Sequence, residues 1–324
     1  MKFKGLSLIL ICLCFLILFQ NEDVRFLISP KLHEPFINYT PYWFSSEIEN
    51  QKRVNFTWVK KDLDLVKELG FKGIKLWCIE GLEQRNLTVK LFDYCSEIEL
   101  KIILPFRIWR PEQFPNNLTA INEFKDFLRD LIPKIKNKSA LYFYVVHYPI
   151  DFSNPYNYAK TWFDNETYKF RLREIISLIR ELDCNHDIYM ALEFNPYWNP
   201  PLDLGNIKGY GVEPYSWHTP YNFDVHRIVD FVKYFEDKGL SVYIDEYGLH
   251  TNNLVTHGYC VNETVKTEIL ETFIKWIFDK PYIWSYFSLH DTNEADWGLA
   301  YANNTLKPSG EMVKSLLPKI THYG

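Results

Sequence analysis

Eight short apolar runs, rich in β-branched and aromatic residues, alternate along this chain with segments whose apolar residues recur every three or four positions. A run of period two or of continuous apolar character reads as a strand, and a 3.6-residue period reads as an amphipathic helix. The runs are Phe36–Phe44, Gly73–Trp77, Lys101–Trp109, Leu141–Val146, Ile188–Phe194, Ile207–Glu213, Ser241–Gly248 and Ile283–Leu289. Between them lie stripes such as Val59, Leu63 and Val66 with Gly70 as the stop, or Leu172, Ile175, Ile176 and Ile179. Regular strand–helix alternation calls for a parallel sheet, because parallel neighbours need a crossover between them. Eight such units in 324 residues favour closure into a (β/α)8 TIM barrel over an open doubly wound sheet. No Gly-x-Gly-x-x-Gly follows the first strand, which argues against a dinucleotide fold.

Residues 1–21 stand apart from this α/β pattern. Lys2 and Lys4 precede an apolar run from Leu6 to Phe19, interrupted only by Ser7. Its length suits the core of a signal peptide, since a spanning helix needs about 20 apolar residues. A cleaved signal peptide and a retained N-terminal membrane anchor, with attachment through residues 5–19, are both consistent with it. Residues 30–320 are then read as one domain, the barrel. Asn-x-Ser/Thr sequons at Asn38, Asn55, Asn86, Asn117, Asn137, Asn165, Asn262 and Asn303 agree with export and a glycoprotein, and place the protein outside the cell or anchored facing outward. Cys78, Cys95, Cys184 and Cys260 follow the leader, and an exported chain can oxidise them in any of three pairings. The cysteines and histidines lack the spacing of a structural zinc site, so no metal and no cofactor is expected. A net charge of −5 without a basic tract excludes nucleic acid as a partner.

In a barrel of this kind the active site lies at the C-terminal ends of the strands. Those ends offer Lys75 and Trp77 (strand two), Arg107 and Trp109 (strand three), His147, Tyr148 and Asp151 (strand four) and Glu193 (strand five). Strand six adds Glu213, Tyr215 and Trp217, strand seven Asp245 and Glu246, and strand eight His290 and Asp291. Acids and aromatic rings at one rim suit carbohydrate: a carboxylate attacks or activates water, a second protonates the leaving oxygen, and ring faces stack on the sugar. The partner expected is therefore an oligosaccharide, a polysaccharide or a glycoprotein glycan.

The segment Tyr243-Ile-Asp-Glu-Tyr-Gly248, followed by Trp284-Ser-Tyr-Phe-Ser-Leu-His-Asp291 and then Trp297-Gly-Leu299, resembles the last two units of the clan A glycoside hydrolases, the family 5-like retaining glycosidases. The resemblance implies that Glu246 is the nucleophile and that Tyr215 orients it. It places Lys75 where those enzymes usually carry an arginine. It departs on strand four, where the clan's Asn-Glu pair is replaced by His147-Tyr148-Pro149, and tyrosine, with a pKa near 10, is a poor acid at neutral pH. Glu193, Glu213 and Asp151 are the carboxyls that can take over as proton donor. Lys75, Trp77, Arg107, Trp109, His147, Tyr148, Tyr215, Trp217, His290 and Asp291 are expected to bind substrate. The expected function is an exported glycoside hydrolase. The alternatives are a catalytically inactive glycan-binding barrel and a transglycosylase on the same fold.

Overall fold

A computed structural model of the chain describes residues 34–40, 56–76, 85–107, 117–147, 166–193, 204–214, 225–251, 260–278, 280–291 and 296–321. The eight strands are β1 (Glu34–Tyr39), β2 (Gly73–Leu76), β3 (Lys101–Arg107), β4 (Leu141–His147), β5 (Ile188–Glu193), β6 (Gly209–Glu213), β7 (Ser241–Gly248) and β8 (Ile283–Phe287). They pair in sequence order, all parallel, and β1 pairs with β8, so the sheet closes into a barrel. The helices are α1 (Phe56–Glu68), α2 (Arg85–Glu97), α3 (Leu118–Ile135), α4 (Glu166–Leu182), α5 (Val225–Glu236), α6 (Glu263–Ile277) and α7 (Pro308–Thr321).

The (β/α)8 expectation therefore holds. Strand β7 has the bounds read from the sequence, whereas β8 is shorter, ending at Phe287 instead of Leu289. Just beyond that end the Ser288 hydroxyl donates to the carbonyl of His290, as in a turn. Strand β6 begins at Gly209, two residues later than the apolar run suggests.

Two apolar layers follow from strand alternation. Outward residues such as Ile74, Ile102, Tyr144, Met190, Ile244 and Tyr247 pack against the helices in the main core. Inward residues Phe36, Ile103, Phe143, Val145, Tyr189, Ala191 and Tyr243 fill the barrel. Helix α1 buries Val59, Leu63 and Val66 on the sheet and stops where Gly70 takes φ +89. Only glycine adopts that left-handed geometry without strain. Among the described residues no helix is long and apolar enough to cross a membrane, and the leader lies outside them.

Above the apolar filling, toward the C-terminal end of the barrel, inward positions turn polar. Asn38 follows Phe36 on β1, Lys75 follows Gly73 on β2, His147 follows Val145 on β4, Glu213 follows Gly211 on β6 and Asp245 follows Tyr243 on β7. Each step of two residues keeps the side chain on the same face. All five are buried, with exposures of at most 2%.

Candidate active site

The centre of the polar layer is the ammonium of Lys75. It donates to Glu246 Oε1 at 2.5 Å and to Asp245 Oδ2 at 2.6 Å, and all three side chains are fully buried. Burial works against the ammonium, but Asp245 first, then Glu246 and Glu213, hold the Lys75 pKa above its ordinary value. Asn38 donates to the same Glu246 oxygen at 2.8 Å, and its own carbonyl oxygen accepts from Ser285 at 2.5 Å, which fixes the orientation of the amide. Glu246 Oε1 is thus held by two donors. Its other oxygen, Oε2, is buried and has no hydrogen bond.

Consecutive residues of a regular strand point to opposite faces, yet Asp245 and Glu246 both contact Lys75. The β7–β8 register supplies the reason. Ile244 pairs with Trp284 and Tyr247 pairs with Tyr286, so three steps on β7 oppose two on β8. This is a β-bulge across Asp245 and Glu246, a device that re-aims side chains near active sites. It turns Glu246 inward while Ile244 and Tyr247 stay in the outer core, where Tyr247 stacks on Phe273 at 3.9 Å.

Glu213 lies beside this pair. Its two oxygens are buried without a hydrogen bond, and it lies 3.2 Å from His147 Nδ1. Burial, then the charges of Glu246 and Asp245, push its pKa well above the ordinary value, and Lys75 offsets only part of this. Asp245 is anchored on the other side by the Tyr243 hydroxyl, which donates to Oδ1. Burial, and then the same aspartate, push the Tyr243 pKa well up.

Gly211 makes room for that tyrosine. It pairs with Tyr243 across β6 and β7, and a Cβ there would lie 2.5 Å from the ring. Gly211→Ala is expected to displace Tyr243 and cost about 1–3 kcal/mol as overpacking does. Urea unfolding checks this, and an unshifted midpoint would show that the ring has room to move.

His147, Glu213, Asp245 and Glu246 each offer a ligand atom, all within 4.8 Å of one another. One imidazole and three carboxylates form a donor set that a divalent transition ion accepts. Sequence spacing could not show it, because the four residues come from three strands. In the described structure Lys75 supplies positive charge to two of these carboxylates.

Of the residues read from the sequence as site candidates, Lys75, His147, Glu213 and Glu246 are brought together. Asp245, which the sequence also offers at the end of strand seven, joins them, as do Asn38, Ser285 and Tyr243, which sequence reasoning does not select as site residues. In the sequence Asn38 reads as a glycan acceptor. It is 1% exposed and bonded to Glu246, so in the folded chain it serves the site instead. The register sets Arg107 beside His147 and Glu193 beside Glu213 at the strand ends.

His290 and Asp291 belong to a clasp after β8. His290 Nε2 lies 2.7 Å from Asn304 Oδ1, and Asn304 donates to Asp62, which also accepts from Tyr39. Asp291 accepts twice from Lys307, at 2.6 and 2.7 Å, and once from the Gly298 amide. Their side chains are committed to tying the segment after β8 to Asp62 of α1 and to Lys307, the residue before α7. Trp77, Trp109, Tyr148, Asp151, Tyr215 and Trp217 lie outside the described residues.

No family model matches the chain, and no curated protein matches it. Solved structures do. A family 2 β-galacturonidase from Eisenbergiella tayi bound to galacturonate superposes with a TM-score of 0.65 at 15% identity, over 86% of this chain and 50% of that one. The β-D-glucuronidase of Dictyoglomus thermophilum gives 0.65 at 13% identity, over 90% and 51%. A β-galactosidase-like structure from Bacteroides fragilis gives 0.61 at 16%, over 88% and 42%. At these identities the likeness shows the fold, the (β/α)8 barrel. This chain spans about half the length of those proteins or less.

Proposed function

We propose that this protein is a glycoside hydrolase in which Glu246 is the nucleophile and Glu213 the proton donor. The observation that carries the reading is the division of labour between two buried carboxyls. Glu246 accepts from the Lys75 ammonium and from the Asn38 amide, which fix the orientation of its carboxyl. Glu213 has no hydrogen-bond donor on either oxygen and is pushed toward its protonated form by burial and neighbouring acids. A carboxyl pushed toward its protonated form beside one gripped by an ammonium and an amide is the usual arrangement of an acid and a nucleophile. Their ligand oxygens lie within 4.8 Å, closer to the ~5–5.5 Å carboxyl spacing of retaining enzymes than to the ~6.5–9.5 Å that leaves room for an intervening water.

Glu246 Oε2 attacks the anomeric carbon while the bond to the leaving oxygen breaks and that oxygen takes the Glu213 proton. Water then gives a proton to Glu213 and its oxygen displaces Glu246. The structural neighbours named above include enzymes for β-galacturonides and β-glucuronides, so β-linked hexuronides and hexosides are the first substrates to try. Export rests on the Leu6–Phe19 leader and on exposed sequons at Asn86, Asn117, Asn137, Asn262 and Asn303.

Glu213→Gln tests the reading. At neutral pH it is expected to lower kcat/KM about 10²-fold or more on poor leaving groups, and to spare activated aryl glycosides. The basic limb of the wild-type pH profile is set by Glu213 and should lie well above the usual glutamate range. The same group gives a stability signature. Its folded pKa is raised, so its contribution is fully present below the unfolded value near 4.5 and is lost as pH rises through the folded value. Wild-type stability should therefore fall over that window more steeply than that of Glu213→Gln. Equal slopes, or a wild type inert toward a broad panel of 4-nitrophenyl glycosides, would favour a non-hydrolytic glycan-binding barrel.

A further inference from the structure

We infer that His147 is the positioning residue of the proton donor, spanning from Glu213 on β6 to Asp245 on β7 and holding Glu213 Oε1 so that Oε2 faces the leaving group. The inference rests on the reading of Glu213 and Glu246 as acid and nucleophile. It explains how a barrel whose fourth strand ends in histidine can work with an acid on the sixth.

Three observations carry it. His147 is the last residue of β4, and its ring reaches across the barrel with Nδ1 at 3.2 Å from Glu213 Oε1 and Nε2 at 3.5 Å from Asp245 Oδ2. Asp245 is a fixed anchor, held by Lys75 at 2.6 Å and by the Tyr243 hydroxyl. Glu213, by contrast, accepts no hydrogen bond at either oxygen, and the imidazole edge faces Oε1 with Nδ1 at 3.2 Å.

The groups facing Glu213 come from three strands: His147 on β4, Asp245 and Glu246 on β7, and Lys75 on β2. Glu193 of β5 stands beside it in register. When Glu213 gives up its proton, it becomes a carboxylate among acids. A proton on Nδ1 of His147 then forms a charge-assisted hydrogen bond to Oε1 and steadies that carboxylate until water returns a proton to it. Support of this kind matters most when the leaving oxygen needs complete proton transfer.

The test is a leaving-group series. Aryl glycosides of the sugar that the wild type hydrolyses, from 2,4-dinitrophenyl to unsubstituted phenyl, are assayed with His147→Ala, His147→Gln and Glu213→Gln. His147→Ala is expected to lose about 10²-fold in kcat on the phenyl glycoside, little on the dinitrophenyl one, with KM nearly unchanged. His147→Gln, which keeps a donor, should recover part of the loss. A uniform loss across the series, or none, overturns the inference while leaving Glu213 in its role if Glu213→Gln still shows the leaving-group dependence. If Glu213→Gln shows no such dependence, the acid assignment itself fails.

A second measurement needs no substrate. In a crystal structure of His147→Ala the Glu213 carboxyl should turn away from the orientation it has beside the imidazole, whose Nδ1 lies 3.2 Å from Oε1. An unmoved carboxyl overturns the inference whether or not any glycoside is hydrolysed.

Discussion

Replacing Glu246 by glutamine is expected to abolish hydrolysis while leaving the fold and glycan binding in place. Glutamine keeps the volume and keeps an oxygen for the Asn38 amide, which donates to Oε1 at 2.8 Å in the wild type. What it removes is the nucleophilic carboxylate, and kcat/KM should fall by about 10⁴-fold or more, as when one member of a catalytic unit is lost. A slow substrate with a fluorine at the sugar 2-position should trap the wild type as a covalent adduct on the peptide that contains Glu246. The variant should give no adduct. Turnover at the wild-type rate, or an adduct on another carboxylate, would remove Glu246 from the role.

The second large effect is on stability. Lys75 supplies the ammonium that bridges Asp245 and Glu246, and all three are fully buried. Lys75→Met fills most of the space and leaves those carboxylates without it. Breaking a buried pair by removing one partner costs about 3–5 kcal/mol, against a typical domain total of about 5–15 kcal/mol. Denaturant midpoints at neutral pH check the size. A variant as stable as wild type at neutral pH would mean that the three groups do not share a buried charge cluster.

These two predictions draw on different parts of the chain. The first follows from where β7 ends, which was legible in the sequence: the run Val242-Tyr243-Ile244 leads into an acid and then Gly248. The second follows from a contact between residues 171 positions apart, Lys75 and Glu246, which no local pattern reports.

Periodicity is a local property, and it determined the fold class. Period two and period 3.6 alternate along the chain as the crossovers of a parallel sheet require, and the observed strand order β1 to β8 follows chain order. The sequence likewise placed Glu246, Lys75, His147 and Glu213 at strand ends, where a parallel barrel gathers its chemistry. Tertiary structure decided which of these residues meet. Asp245 and Glu246 face the same interior only because the β7–β8 pairing slips between Ile244 and Tyr247, and a bulge is invisible in hydrophobic pattern. Asn38 reads as a glycan acceptor in one dimension and is a buried donor to Glu246 in three, because closure of β1 against β8 brings Ser285 and Glu246 to it. His290 and Asp291 sit at a strand end as the sequence says, yet Asn304 and Lys307 draw them into a clasp. Strand ends are fixed by local chemistry, whereas the distance between two side chains on different strands depends on register, bulges and closure, which belong to the whole barrel.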